Sequence, residues 1–122
     1  MVRFSEEHIP EINSWYCQRG METLSKHLFP DVGFIVRGVG AGFIYQTDSS
    51  LCFLDGYISN PESTKEHRKD SFDKITHALI LTAKDHGFRS ILAYTQNPEI
   101  SKRCERFGFG LRGTYNLFVK GV

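Results

Sequence analysis

The sequence predicts a mixed α/β domain built on one sheet. The second half alternates strand and helix: an apolar run from Leu51 to Ile58, a long charged helix, a second run from Ser90 to Thr95, and a short helix. The first half instead places three β-rich runs close together with short turns between them, the pattern of an antiparallel meander. At 122 residues the chain has room for one proper core and not two, so residues 1–122 are read as a single domain.

Each element has its own local reason. Val2-Arg3-Phe4 can form a short opening strand. Ile9, Ile12, Trp15 and Tyr16 recur at helical spacing after Pro10, with Gly20 as the stop. A second short helix is expected from Glu22 to Leu28, closed by Phe29-Pro30. Phe34–Arg37 and Gly42–Gln46 read as a hairpin around Gly38-Val39-Gly40-Ala41. Asp48-Ser49-Ser50 turns the chain into the third strand, Leu51 to Ile58.

The long helix ends at His86-Gly87, where glycine suits a left-handed cap. Phe72, Ile75, Leu79 and Ala83 share one face at i, i+3, i+7 and i+11. Its start has two readings. Ser63 with Glu66 has capping-box spacing, and Asp70 or Ser71 also stands before the apolar face. The basic cluster Lys65, His67, Arg68 and Lys69 is therefore either a first helical turn or a loop. Ile91-Leu92-Ala93 makes a compact strand, Glu99 to Phe107 a short helix stopped by Gly108, and Thr114 to Val119 a last strand.

Composition narrows the function classes. The chain is 40% hydrophobic and 24% charged, with a formal net charge of +1. That balance gives no reason to expect nucleic acid or a membrane as partner, and no apolar run approaches the roughly 18 residues that span a bilayer. Cys17, Cys52 and Cys104 are odd in number, without CxxC spacing. With no secretory leader, reduced thiols in the cytoplasm are expected. His8, His27, His67, His77 and His86 show no metal-ligand spacing with the cysteines, so no metal site is expected.

An Asn-Pro follows both second-half strands, at Asn60-Pro61 and Asn97-Pro98. The stretch Ala83 to Phe109 runs as a helix ending in Ala-x-x-x-Gly-Phe, a strand, then Asn97 with Phe109 twelve residues on. In these features the chain resembles the GNAT superfamily of acyl-CoA-dependent N-acetyltransferases over residues 31–119, and in its shortness the acetyltransferase-like proteins of tailed bacteriophages. The resemblance implies a single domain whose mixed sheet joins an antiparallel N-terminal meander to a splayed parallel strand pair, flanked by helices.

It also implies acetyl-CoA as acyl donor, held by a loop before the long helix through backbone N–H groups and the helix N-terminus. Counting back from Gly87 places that loop at His67 to Phe72, with His67 at the usual Gln/Arg position and Asp70 and Phe72 where glycines are usual. Glycine lets phosphate approach the backbone, whereas Asp70 adds a side chain and a repelling charge. The segment Pro61 to His67 is longer than the usual loop. Lys65, Arg68 and Lys69 could neutralise phosphate directly.

By the same resemblance, the backbone of Tyr57, Ile58 and Ser59 would pair with the pantetheine amides, and Asn97 would assist. Asn97 is equally suited to cap the next helix. Asp55, six residues before Pro61, stands where the family places a general base, and desolvation among Leu51, Cys52, Phe53 and Leu54 would raise its pKa. Cys104 takes the place of the usual Tyr acid, four residues before Gly108-Phe109; a packing cysteine is the alternative, and Tyr94, Tyr115 and Tyr57 are substitute acids. The implied activity is acetyl transfer to a primary amine of a small molecule or protein. The rival is a degenerate GNAT-fold binding protein acting on a partner, such as a host protein if phage-encoded. Oligomeric state is open, with a dimer one option.

Overall fold

The computed structural model describes all residues, 1–122. Its elements are β1 (Val2–Arg3), α1 (Ile9–Gln18), β2 (Val32–Val36), β3 (Gly40–Gln46), β4 (Leu51–Ser59), α2 (Lys65–Asp85), β5 (Ser90–Leu92) and α3 (Pro98–Arg106), with single 3-10 turns at Glu6–His8 and Lys26–Leu28. The five strands form one sheet in chain order. β1 to β4 pair antiparallel, and β5 joins β4 in parallel. The expected class, a meander leading into a parallel pair, is what the chain forms.

The sheet is covered on both faces, giving three layers. On one side Ile75, Leu79 and Ala83 of α2 bury against Val32, Ile44, Cys52 and Leu54. On the other, Ile12 and Trp15 of α1 bury against Ile35, Ala41, Phe43 and Ile58. The period of two along β3 sends Ile44 to the α2 side and Phe43 to the α1 side. Glu11 ties α1 to the β2–β3 hairpin, accepting from the Arg37 guanidinium at 2.7 Å and the Gly38 amide at 2.9 Å.

Two expectations need correction, and one choice between two readings is decided. The helix expected over Glu22–Leu28 is only the turn Lys26–Leu28. The Asn13 side chain donates to the Leu24 carbonyl at 3.0 Å and accepts from its amide at 2.9 Å, removing both groups from any helical ladder. α2 begins at Lys65, capped by Thr64, whose hydroxyl accepts from the His67 amide at 3.2 Å. The basic cluster is thus the opening of a helix, exposed except for the half-buried Arg68, which is why the apolar period beginning at Phe72 does not reveal it. Finally, Thr114–Val119 forms no strand, and residues 110–122 make no sheet pairing. The last ordered element is α3, closed by Gly108 at φ +85°.

Candidate active site

The site begins with a fault in β4. Ala41 opposes Ile58 and Phe43 opposes Asp55, so the single residue Gly42 faces two, Gly56 and Tyr57. Gly56 has φ +72°, the left-handed conformation of a glycine bulge. The bulge shifts the strand's phase. Leu54 packs on the α2 side, yet Ile58, four residues on, packs on the α1 side. Strict alternation would have placed both on one face.

β4 also loses its neighbour here. β5 pairs only from Leu51 to Phe53, opposite Ser90 to Leu92. Beyond Phe53, the β5-facing backbone groups of β4 have no strand partner, and the two parallel strands part. A cavity of about 80 Å³ lies in the rift, lined among others by Asp55, Tyr57, Tyr94, Arg103 and Cys104. The cavity lies just past the carboxyl end of β5, at Ala93 and Tyr94, the usual place for a site in sheets with a parallel pair.

The residues expected to act as acid and base differ in surroundings. Asp55 is exposed and accepts from the Gly56 amide at 2.8 Å. The desolvation expected of it is absent, because the bulge turns its carboxylate outward instead of burying it. Burial, with Asp55 nearby as the lesser cause, pushes the phenols of Tyr16 and Tyr45 up from their usual value. Both stay neutral beside the carboxylate. Sequence reasoning missed these two. Tyr45 lies two residues from Phe43 on a strand and so shares its face, but only the fold brings Tyr16 of α1 to the same place.

Cys104 is half-buried, and burial pushes its thiol up from its usual value, against a smaller opposing effect of the Arg103 charge. It is a neutral thiol at neutral pH, able to give a proton and poorly able to attack as thiolate. Burial pushes the Tyr57 phenol well above its usual value, and its hydroxyl shares a 2.6 Å hydrogen bond with Thr76 of α2. Tyr94 stacks on Phe53 at the outer rim, 5.9 Å between centroids.

Arg103 was not foreseen, yet it determines where α3 sits. It is the one buried arginine, with its guanidinium 4.9 Å from the Phe72 ring centre and 5.9 Å from that of Tyr57. Its Nε is 3.4 Å from Asp73, without a hydrogen bond of its own. Arg106, one turn on, makes the bidentate pair with Asp73 at 2.8 and 2.9 Å. The Arg106 hydrogen bond is the main reason the Asp73 carboxyl lies below its usual value. The i, i+3 arginines were the available signal, but only the fold supplies Asp73 opposite them.

The remaining predicted residues lie in three places. Asn97 caps α3, accepting from the Glu99 amide at 2.9 Å, with Pro98 in the first turn. The Ser59 carbonyl already accepts from Arg19 at 3.0 Å and its hydroxyl at 2.7 Å. Tyr57 lies where β5 no longer flanks β4, whereas Ile58 pairs with Ala41 of β3. Lys65, His67, Arg68 and Lys69 all belong to the opening turns of α2, not to a loop. The gap-free count from Gly87 therefore fails. Asp70 sits on the helix surface paired with Lys74 at 3.0 Å, and Phe72 packs edge-on to Tyr57. The loop before the helix is 60–64, which the sequence count missed because the helix is longer at its start.

That loop decides whether a pyrophosphate fits. Asn60 consumes its first donors: its side chain accepts from the Glu62 amide and its carbonyl from the Ser63 amide. Arg68 reaches back to the Ser63 carbonyl at 2.6 Å. The amides of Lys65 and Glu66, at the helix start, keep no acceptor within the chain. Two free N–H groups, a positive helix end and the Lys65 and Lys69 cations suit an anionic phosphate. No group of three or more His, Cys, Asp or Glu side chains gathers to hold a metal, and no helix is long and apolar enough to cross a membrane.

This three-layer sheet with a bulged fourth strand and a splayed parallel pair is the GNAT acetyltransferase fold. No family model matches the chain, and no curated protein matches it in sequence. Solved structures do. A candidate acetyltransferase from Agrobacterium tumefaciens superposes with a TM-score of 0.72 at 12% identity, covering 98% of each chain. TTHA1254 from Thermus thermophilus gives 0.66 at 15%, covering 100% of this chain and 98% of that one. The aminoglycoside N-acetyltransferase AAC(6')-Iy, in complex with CoA, gives 0.63 at 16%, with coverage of 99% and 98%.

Proposed function

We propose that the protein is an acetyl-CoA-dependent N-acyltransferase acting on a primary amine. The observation that carries this reading is the rift itself: a bulge-opened cavity between parallel strands that gathers a carboxylate, a neutral thiol and two phenols. The likeness to a CoA-bound acetyltransferase fold supports it. The Lys65 and Glu66 amides, with Lys65, Arg68 and Lys69, would hold the pyrophosphate; His67 lies in the same turn. Backbone groups of Tyr57, on the side of β4 that β5 leaves open, would pair with the pantetheine amides, with Ile58 next to them paired to β3. Ser59 and Asn97 would border that arm, each already held by a contact of its own.

When bound, acetyl-CoA supplies an activated thioester. Asp55 would take the proton of the attacking amine through water, its exposure making that relay direct. Tyr16 and Tyr45 flank Asp55 and would form the amine's entry on the α1 face. Cys104 would protonate the departing thiolate, a transfer between groups of similar acidity; Tyr57 and Tyr94 border the same space and are the substitutes.

Calorimetry with acetyl-CoA tests the first half of this reading and a thiol-release assay with amine acceptors the second. Binding should raise the melting temperature by mass action. Asp55→Asn should then lower turnover roughly a hundredfold with little change in acetyl-CoA affinity. A titration to saturation that shows neither heat nor thermal shift overturns the reading. One observation favours a second reading, a binding module without transfer chemistry. Asn60 uses up the loop amides that a glycine-rich loop would leave free, and a protein that binds no acetyl-CoA would fit that account.

A further inference from the structure

Arg103 carries more charge than its place in the fold requires. Arg106 already engages both oxygens of Asp73, at 2.8 and 2.9 Å, so one arginine suffices to dock α3. Arg103 brings a second cation to the same carboxylate. Asp73 is its only ion-pair partner, met through Nε at 3.4 Å without a hydrogen bond. The rings beside it, Phe72 at 4.9 Å and Tyr57 at 5.9 Å, attract a cation but do not neutralise it. The residue is only 8% exposed. Burying a charge is costly unless it is paired, and two cations on one carboxylate leave one in excess.

That excess borders the cavity. Ile100, Arg103 and Cys104 stand at i, i+3 and i+4 on one face of α3, and all three line it. Arg103 is thus next to the thiol that would protonate the leaving group. Leu54, Ala93 and Phe109 line much of the remainder, so a charge pair formed there is weakly screened by water. At about 80 Å³ the cavity has room for several water-sized groups, more than the methyl of an acetyl group fills. Asp55 lines the same space from β4 and would repel an anionic acceptor. A carboxylate drawn to Arg103 therefore belongs with the acyl group, and the amine belongs with Asp55.

We propose that the protein takes, beside acetyl, an acyl group ending in a carboxylate, a short dicarboxylic acyl such as malonyl, and that Arg103 is the residue that selects it. The inference rests on the acyl-CoA reading given above. In the transfer the amine nitrogen bonds to the thioester carbonyl carbon and the C–S bond breaks. The amine gives up one proton and the departing thiolate gains one. The distal carboxylate is unchanged and stays on the guanidinium.

Calorimetry on the full chain tests this with malonyl-CoA, acetyl-CoA and acetoacetyl-CoA, the last having an acyl group of nearly the malonyl shape without its charge. Malonyl-CoA should bind about tenfold or more tighter than either, as expected of a charge-assisted pair away from bulk water. Arg103→Gln should abolish that preference. Loosening of α3 alone would weaken all three donors alike and leave the ratio unchanged. Should the variant misfold, the wild-type ratio decides alone. Equal binding of the three donors overturns the inference and leaves the acyl-CoA reading standing, whereas binding of none overturns both. Faster transfer from acetyl-CoA to β-alanine than to its amide, lost in Arg103→Gln, would assign the guanidinium to the acceptor's carboxylate and overturn the donor assignment.

Discussion

The two ends of the chain are held by different physics. Through Ala83 the protein is an apolar solid, with two helices sealing a paired sheet by complete burial of residues such as Ile12, Ile35, Ile75 and Leu79. After Ala83 the only buried side chain is Arg103. α3 is docked by two arginines on Asp73 and by a guanidinium over aromatic rings. The cavity lies on the seam between these regimes. One wall, β4, is set by the rigid block, and the other, α3, is held by charge. A cavity built this way can keep Asp55 fixed while the side carrying Cys104 adjusts.

The sharpest way to break that contrast is to attack the apolar block. Leu79→Ala should cost about 2–5 kcal/mol in global stability, read from the denaturant midpoint, because a closed core fills poorly. A loss below about 1 kcal/mol would mean that the block is looser than its burial implies. The seam itself comes next. Gly56→Ala forces a side chain into φ +72°, with its Cβ 3.0 Å from the Phe43 ring. The conformational part alone should cost about 1–2 kcal/mol. If the strand instead loses its bulge, acetyl-CoA binding should fall by more than stability does.

The charged dock should respond separately. Asp73 has its carboxyl below the usual value in the folded state, so it contributes stability above the unfolded pKa of about 3.9, and that contribution disappears as pH falls through the folded value. Hydrogen exchange in α3 should therefore accelerate below about pH 4, while fluorescence of Trp15, buried under α1, stays native. Asp73→Asn should reproduce that loosening at neutral pH, for about 1 kcal/mol or less, since the pair is partly solvated. Simultaneous loss of the Trp15 signal would make the two regions one cooperative unit.

The smallest effect concerns Cys104. Cys104→Ala should cost about 1 kcal/mol, as expected for a half-buried packing group. Because burial raises its pKa, alkylation of Cys104 should lag behind that of the exposed Cys17 and gain on it only at alkaline pH. Cys104→Ser transferring acetyl groups at the wild-type rate across the pH range would remove its catalytic role and leave the packing one.

Local chemistry made several elements legible from sequence. Pro10 and Gly20 frame α1, the spacing of Ile75, Leu79 and Ala83 marks the buried face of α2, and Asn97-Pro98 begins α3. The start of α2 stayed open between two readings, because Lys65 to Asp70, apart from the half-buried Arg68, face water and leave no apolar period; the count back from Gly87 put the expected phosphate loop inside the helix. The segment 114–119 has the composition of a strand, but composition cannot supply a neighbour to pair with.

By itself, then, the sequence determined which residues turn inward and which local hydrogen bonds begin and end each helix, since both depend on neighbours a few positions away. It also determined the order of strands and helices, and with it the family likeness. The tertiary structure alone decided that Gly42 faces two residues of β4, which turns Asp55 outward toward Tyr16 and Tyr45. It alone brought Asp73 against Arg103 and Arg106, and Tyr57 against Thr76. Those choices depend on register and on packing between segments tens of residues apart, and a one-residue change of register moves every side chain beyond it to the other face.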